Sequence, residues 1–222
     1  MGRLLCFFVL FFSLLSAAPT RHLHRAKTQA SIPQHARPLV ILDAGHGGSN
    51  EGAQNHLVME KRLTLTTTMY LKKYLEEAGY RVILTRSRDV FIPLPRRVAI
   101  ANNTKAVLFV SVHYNASHNH EVKGLEVFYY QEGGAKRAAA SKLLASNILS
   151  SMLHQTHAES RGVKAGNFHV IRETTMPAVL VEGGFITNRE ESMLLHDKKY
   201  LARIARGIAH GVEKYMKTLV AS

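Results

Sequence analysis

The sequence predicts a single-domain α/β fold, a mostly parallel twisted sheet with helices on both of its faces. Three observations carry this. Short continuous apolar runs alternate with longer stretches whose apolar residues recur every three or four positions, the pattern of strands alternating with helices. The short runs are apolar throughout, as in strands of a parallel sheet covered on both faces. No internal repeat, low-complexity tract or second domain is visible in residues 39–222. That length is enough to bury roughly 70% of the unfolded chain's surface in one core.

The elements follow in order. Residues 38–42, Pro-Leu-Val-Ile-Leu, form a buried-strand pattern ending in Asp43-Ala-Gly45. Leu63, Thr67, Leu71, Leu75 and Ala78 predict a helix over about 60–78, ended by Gly79. Residues 81–85 read as the next strand and 94–102 as a helix. Residues 106–112 are continuously apolar, as expected of a central parallel strand. Residues 125–130 are another strand. Leu144, Ile148 and Met152, with Ala145, Leu149 and Leu153, predict a helix within 135–158. Residues 167–171 and 178–181 read as strands. Leu201, Ile204, Ile208, Val212, Tyr215 and Leu219 line one face of a long final helix.

Open α/β sheets bind ligands at the C-terminal ends of their strands, so the polar residues there are the candidates for chemistry. Three segments stand out: Asp43-Ala-Gly-His46-Gly-Gly48, Ser111-Val-His113-Tyr-Asn115, and Val181-Glu182-Gly-Gly-Phe185. Each places a His or Glu where the backbone leaves the sheet. The first lacks both the Gly-x-Gly-x-x-Gly and the Lys-Ser/Thr of phosphate-binding loops. Glu182 follows four apolar residues, and burying it alone costs several kcal/mol. It therefore needs a partner: a metal-bound water, a good donor, or an arginine in a structural ion pair. Glu60 opens the first helix, either as a carboxylate favoured by the helix dipole or swung back over the sheet edge beside His46. Two neutral imidazoles and one carboxylate are the protein ligands of a catalytic zinc. A second carboxylate nearby can move a proton from water to a leaving nitrogen. His46, Glu60 and His113 supply the first set and Glu182 the second.

Composition narrows the chemistry further. Of 222 residues, 46% are hydrophobic and 20% charged, as in a globular chain. The single cysteine, Cys6, lies in an N-terminal apolar run, so the body has no disulfide framework, Cys-based zinc site or catalytic thiol. Residues 1–18 join Arg3, an apolar stretch and Ser16-Ala-Ala18, the pattern of an export signal. An N-terminal membrane anchor is the alternative, and Pro19 keeps it open by disfavouring cleavage. Residues 19–38 are basic, with no acid, and read as a solvated linker. The net charge is +13, and five basic residues of the first 38 leave +8 on the body. That excess favours an anionic partner: a wall, a lipid surface or nucleic acid.

The motifs together resemble the zinc-dependent N-acetylmuramoyl-L-alanine amidases of bacterial cell-wall remodelling. They are Ile41-Leu-Asp-Ala-Gly-His-Gly-Gly48 with Gly52-Ala53; Glu60-Lys61; Leu84-Thr-Arg-Ser-Arg-Asp89; Arg97 with Ala101-Asn102; Val110-Ser-Val-His-Tyr-Asn-Ala116; residues 124–128; and Met176-Pro-Ala-Val-Leu-Val-Glu-Gly-Gly-Phe-Ile-Thr-Asn188. The resemblance covers nearly all of residues 39–218. It implies a phosphorylase/hydrolase-like fold, with His46, Glu60 and His113 as Zn2+ ligands and Glu182 as the catalytic glutamate. It implies hydrolysis of the amide between N-acetylmuramic acid and L-alanine of the stem peptide, at the periplasm or envelope, in wall remodelling and cell division. The partner is then peptidoglycan and an anionic envelope surface, with no nucleic acid. Asn115 and Arg161 fall near the implied cleft; no substrate-binding residue is assigned. His118 and His120 sit in a polar loop and read as solvated, and His169, in its strand, as a pocket wall or satisfied core residue rather than a fourth ligand. Some relatives carry a long insertion between the positions of Glu132 and His154, whose helix blocks the zinc until a partner displaces it. Here there is room for one helix only, so an open cleft with no strict need of an activator is expected. The rivals are a zinc carboxypeptidase acting on wall peptides and a non-catalytic basic wall-binding protein.

Overall fold

The computed structural model describes residue 2 and residues 37–221. The expected export signal at 1–18 and all but the end of the basic linker at 19–38 lie outside the described residues. The elements run β1 (Leu39–Ala44), α1 (Glu60–Glu77), β2 (Arg81–Leu84), α2 (Leu94–Asn102), β3 (Leu108–Asn115) and β4 (Leu125–Tyr129). Then come α3 (Ala135–Thr156), β5 (Ser160–Ala165), α4 (His169–Glu173), β6 (Ala178–Phe185), α5 (Arg189–His196) and α6 (Lys198–Ala221). The six strands form one sheet in the order β2-β1-β3-β6-β4-β5. β2, β1, β3 and β6 are mutually parallel; β4 pairs antiparallel with β6 and parallel with β5. The sheet is thus mostly parallel, as the apolar runs require. Among the described residues no helix is long and apolar enough to cross a membrane.

Alternation along the strands sends side chains to two different cores. Val40, Leu42, Leu108, Val110, Val112, Val179 and Val181 pack with residues of α1, α3 and α6. Leu39, Ile41, Phe109, Ala178 and Leu180 pack with Ala101 of α2 and with Val170 and Ile171 of α4. The first face is covered by helices of 18, 22 and 24 residues, the second by helices of 9 and 5. The second cover is therefore too short to reach the whole length of the sheet, and it is on that face that the strand-end polar residues emerge.

Three elements differ from expectation. The strand expected over 167–171 is the short helix α4. Its Val170-Ile171 pair is a strand-like signal, but both residues are buried in the second core from a helical turn. The edge strand β5, Ser-Arg-Gly-Val-Lys-Ala, has no apolar run and no fully buried residue, so no pattern marks it. Helix α5 is also unforeseen; it starts at Asn188, whose side chain accepts from the Glu191 backbone N–H as an N-cap.

Candidate metal centre and catalytic cleft

Strand parity decides which side chains share the open face. Asp43 continues the Leu39, Ile41 series of β1, and Ser111 and His113 continue the Phe109 series of β3. Glu182 continues Ala178 and Leu180 on β6. His113 is directly opposite Glu182, and Glu182 directly opposite Glu126 of β4. One histidine and two glutamates therefore form a row across three neighbouring strands, each about 4.8 Å from the next.

Glu60 arrives from the other side. As the first residue of α1 it is 4% exposed, and its carboxylate reaches over the strand ends. Its Oε1 lies 3.0 Å from His46 Nε2 and 3.0 Å from His113 Nδ1, and it accepts the Tyr114 backbone N–H. Its Oε2 accepts the Ala53 N–H at 2.9 Å. Of the two readings of this residue, the helix start does swing it over the sheet edge.

The donor atoms of His46, Glu60 and His113 all lie within 4.8 Å of one another. Bond lengths of a tetrahedral zinc with these ligand types put donors about 3.3 Å apart. Two of the three separations, at 3.0 Å, already match that. His46 Nδ1 lies 2.8 Å from Asn50 Oδ1; with Nδ1 donating to that amide oxygen, Nε2, which faces Glu60, is the nitrogen that would ligate a metal. The set fits a divalent metal.

The surrounding backbone is shaped for these rings. Gly45 lies flat against His113: a Cβ there would sit 2.2 Å from the ring Cε1 and 2.4 Å from Nε2. At Gly52 a Cβ would meet Glu60 Oε2 at 2.5 Å and His46 Cδ2 at 2.8 Å. His46 itself is left-handed, with φ of 59°, a conformation a non-glycine residue adopts only where its surroundings enforce it. Two buried arginines enforce it. Arg97 donates to the carbonyls of Ala44 and His46 and pairs with Asp43 at 2.7 Å. Arg86 donates to the carbonyls of Ala44, Gly45 and Lys61. Asp43 also accepts from Thr85 and Ser111. Both arginines belong to motifs visible in the sequence, but their task as clamps on the His46 loop is visible only in three dimensions.

Electrostatics separates the two glutamates. Burial works against ionisation of Glu60, yet the imidazoles of His113 and His46 hold its carboxyl far below the usual carboxylate range. Burial, with the charges of Glu60 and Glu126 beside it, pushes the Glu182 carboxyl well above its ordinary value. Glu182 Oε2 is buried with no hydrogen-bond partner, and no arginine pairs with Glu182 among the described residues. The ion-pair alternative for Glu182 is therefore not met. An unpartnered carboxyl with a raised pKa beside a metal-ligand cluster is suited to taking up and releasing a proton.

The remaining candidates are placed as follows. His118 and His120 are exposed in the loop after β3. His169 opens α4 rather than lying in a strand, with Nδ1 at 3.3 Å from Arg172. Asn115 donates to Glu126 Oε1 at 2.7 Å, and Arg161 Nε to Glu126 Oε2 at 3.3 Å. Glu126 is a buried neighbour of Glu182 that the sequence did not single out. Its signal, one carboxylate inside the apolar run Leu-Glu-Val-Phe, is the same as that of Glu182. Beside the centre a 400 Å³ cavity is lined by Gly45, His46, Asn50, Phe91, Leu94 and His113, among others.

Comparison with known proteins identifies the family. Residues 40–214 match the family model described as N-acetylmuramoyl-L-alanine amidase. The amidase CwlM of Bacillus licheniformis is 36% identical over 177 residues, 79% of this chain and 67% of that protein. The catalytic domain of the amidase CwlV from Bacillus (Paenibacillus) polymyxa var. colistinus superposes with a TM-score of 0.75 at 38% identity, covering 81% of this chain and 98% of that one. The CwlD amidase of Clostridioides difficile, solved in complex with the GerS lipoprotein, gives a TM-score of 0.77 at 31% identity over 82% of this chain and all of that one, 100%. A family match spanning most of the chain, and these levels of identity and superposition, lead to one conclusion: the chain belongs to the N-acetylmuramoyl-L-alanine amidase family.

Proposed function

We propose that the protein hydrolyses the amide joining the lactyl group of N-acetylmuramic acid to L-alanine of the stem peptide, with Zn2+ held by His46, Glu60 and His113 and with Glu182 as general base and acid. The observation that carries this reading is the convergence of three metal-ligand atoms within 4.8 Å, with an unpartnered buried glutamate directly across the sheet from one of them. When bound, zinc supplies Lewis acidity, polarising a carbonyl and making water a stronger acid. The protein's own residues do the rest. Glu60 and the two imidazoles would hold the ion, and Asn50, Arg86 and Arg97 hold the loop that presents His46. Glu182 accepts a proton from the attacking water and returns it to the departing nitrogen of L-alanine. The high proton affinity set by its burial suits it to hold the proton between the two tasks.

Residues 1–18 are read as an export signal, 19–38 as a basic linker that holds the enzyme near the anionic envelope, and 39–222 as the catalytic domain. Only residues 130–134 separate β4 from α3, which leaves no insertion to cover the cleft and supports activity without an activator. The test is purified domain, loaded with zinc, on isolated cell wall. Release of stem peptides by the domain alone, lost on chelation and restored by zinc, is the expected result. Silence relieved only by an added partner protein overturns the open-cleft reading, and release of terminal residues alone makes the enzyme a carboxypeptidase.

A further inference from the structure

Glu126 is a buried carboxylate, its side chain 4% exposed, and it draws two cations where one would neutralise it. Asn115 occupies its Oε1, while Arg161 Nε and Lys164 Nζ both donate to Oε2. The three side chains together therefore carry one net positive charge, and Glu126 lies directly opposite Glu182 in the sheet. Arg161 reaches this place through an irregularity. Leu125 pairs with Ser160 but Glu126 with Gly162, so Arg161 is the extra residue of a β-bulge. Gly162 completes the bulge at φ of 87°, a left-handed conformation that glycine takes without strain. Bulges of this kind re-aim a side chain, and here the bulge brings the guanidinium to the Glu126 carboxylate and over the ring of Phe185, 5.1 Å from its centroid. Phe185 ends the strand that carries Glu182.

The cations are held but not consumed. Arg161 and Lys164 side chains are 34% and 39% exposed. Arg161 Nη1 has only the Lys123 carbonyl, at 3.4 Å, and Nη2 has no partner among the described residues. A fixed, half-exposed guanidinium with free N–H groups is a carboxylate receptor that needs little ordering on binding. On the other flank of the metal cluster, the cavity against α2 is walled by Phe91, Ile92 and Leu94, with no lysine and with Arg97 already engaged. The two flanks therefore differ in charge: one is walled by apolar side chains, the other carries two cations.

We propose that Arg161 and Lys164 form a subsite for a carboxylate of the stem peptide, on the side of Glu182 opposite His113, and that the departing amine leaves toward it. This rests on the amidase reading, and it adds that the enzyme distinguishes stems by charge. A free side-group carboxylate on the residue after L-alanine is accepted, and its neutral carboxamide is disfavoured. Glu126 is a positioning residue for both cations.

The experiment uses the zinc-loaded protein with two matched pairs of ligands. One pair is a muropeptide with that residue as free acid or as carboxamide; the other is the corresponding released peptides, which bind without turnover. For the intact protein the acid forms are expected to be favoured by about tenfold or more in kcat/KM, mainly through KM, and in Kd by calorimetry. Arg161→Gln and Lys164→Gln each bring the cluster to neutrality, and each should erase the preference by weakening the acid form alone. Arg161→Lys should restore part of it. Equal use of acid and amide by the intact protein overturns the subsite while leaving the amidase reading standing. An equal loss on both forms in folded variants, checked by thermal melting, also overturns it by showing a structural role only. If neither muropeptide is cut, the amidase reading fails, and the peptide Kd values still decide the subsite.

Discussion

The two faces of the sheet are built from the same strands and do opposite work. Every inward residue on the α1–α3–α6 face of β1, β3 and β6 up to the strand ends is aliphatic or aromatic, and three long helices seal it. The α2–α4 face begins the same way, with Leu39, Ile41, Phe109, Ala178 and Leu180, then turns polar at Asp43, Ser111, His113, Glu126 and Glu182 where the short helices run out. On the long-helix face no charged side chain enters the core, and its buried polar groups are neutral, such as the Thr67 and Tyr114 hydroxyls that pair with each other. On the other, every buried charge among the described residues has partners except Glu182. Most of the buried apolar side chains lie on one side, and the other holds a left-handed histidine and an unpartnered carboxyl. This is the local conflict expected at a functional site.

Breaking the open face should remove chemistry and leave the fold. The largest effect expected is for Glu182→Gln: hydrolysis falls by roughly 10²–10⁴-fold while zinc is retained. Metal-free protein should become more stable at the same time. Because the folded-state pKa of Glu182 is raised, folding takes up a proton there; the wild-type protein is unpenalised below about pH 4.5 and loses stability as pH rises toward the folded value. The stabilisation by Gln, read from melting curves, should therefore be small at pH 4.5 and grow toward neutral and alkaline pH. A variant that melts lower at pH 8 than the parent contradicts the description of Glu182 as buried and unpartnered.

Breaking the sealed face should do the reverse. Leu71 of α1 is fully buried at 0% exposure, and Leu71→Ala should cost about 2–5 kcal/mol in denaturant unfolding. Turnover per folded molecule should stay near the parent value. A large drop in kcat at a temperature where the variant is folded would show that the two faces are coupled. The smallest effect sharpens the boundary between them. Asn50→Ala removes the acceptor that orients His46, and zinc affinity by competitive chelation should fall by about 10–100-fold with little change in melting of the metal-free domain.

How much of this could be read from the chain follows the same division. The sealed face was legible because burial on both sides of a parallel sheet leaves continuous apolar runs, and long helices leave regular spacing. His46, Glu60, His113 and Glu182 were legible as polar residues terminating those runs or opening a helix. The edge strand β5 was not, since an edge needs little burial and its one distinguishing feature, the Gly162 bulge, is a matter of register. Helix α4 was read as a strand because Val170 and Ile171 are β-branched, and packing against the sheet overrode that preference. The tasks of Arg86 and Arg97 were hidden for a different reason. Their acceptors are mostly backbone carbonyls, which have no sequence signature, and the strained loop they clamp exists only once the chain is folded.

The most direct test is mass spectrometry of peptidoglycan digested by the zinc-loaded protein. Cleavage by the His46–Glu60–His113 centre with Glu182 predicts free stem peptides that begin with L-alanine, together with glycan strands bearing unsubstituted lactyl groups. Products shortened only at the C-terminal end of the stem, with the muramyl–alanine amide intact, would contradict it.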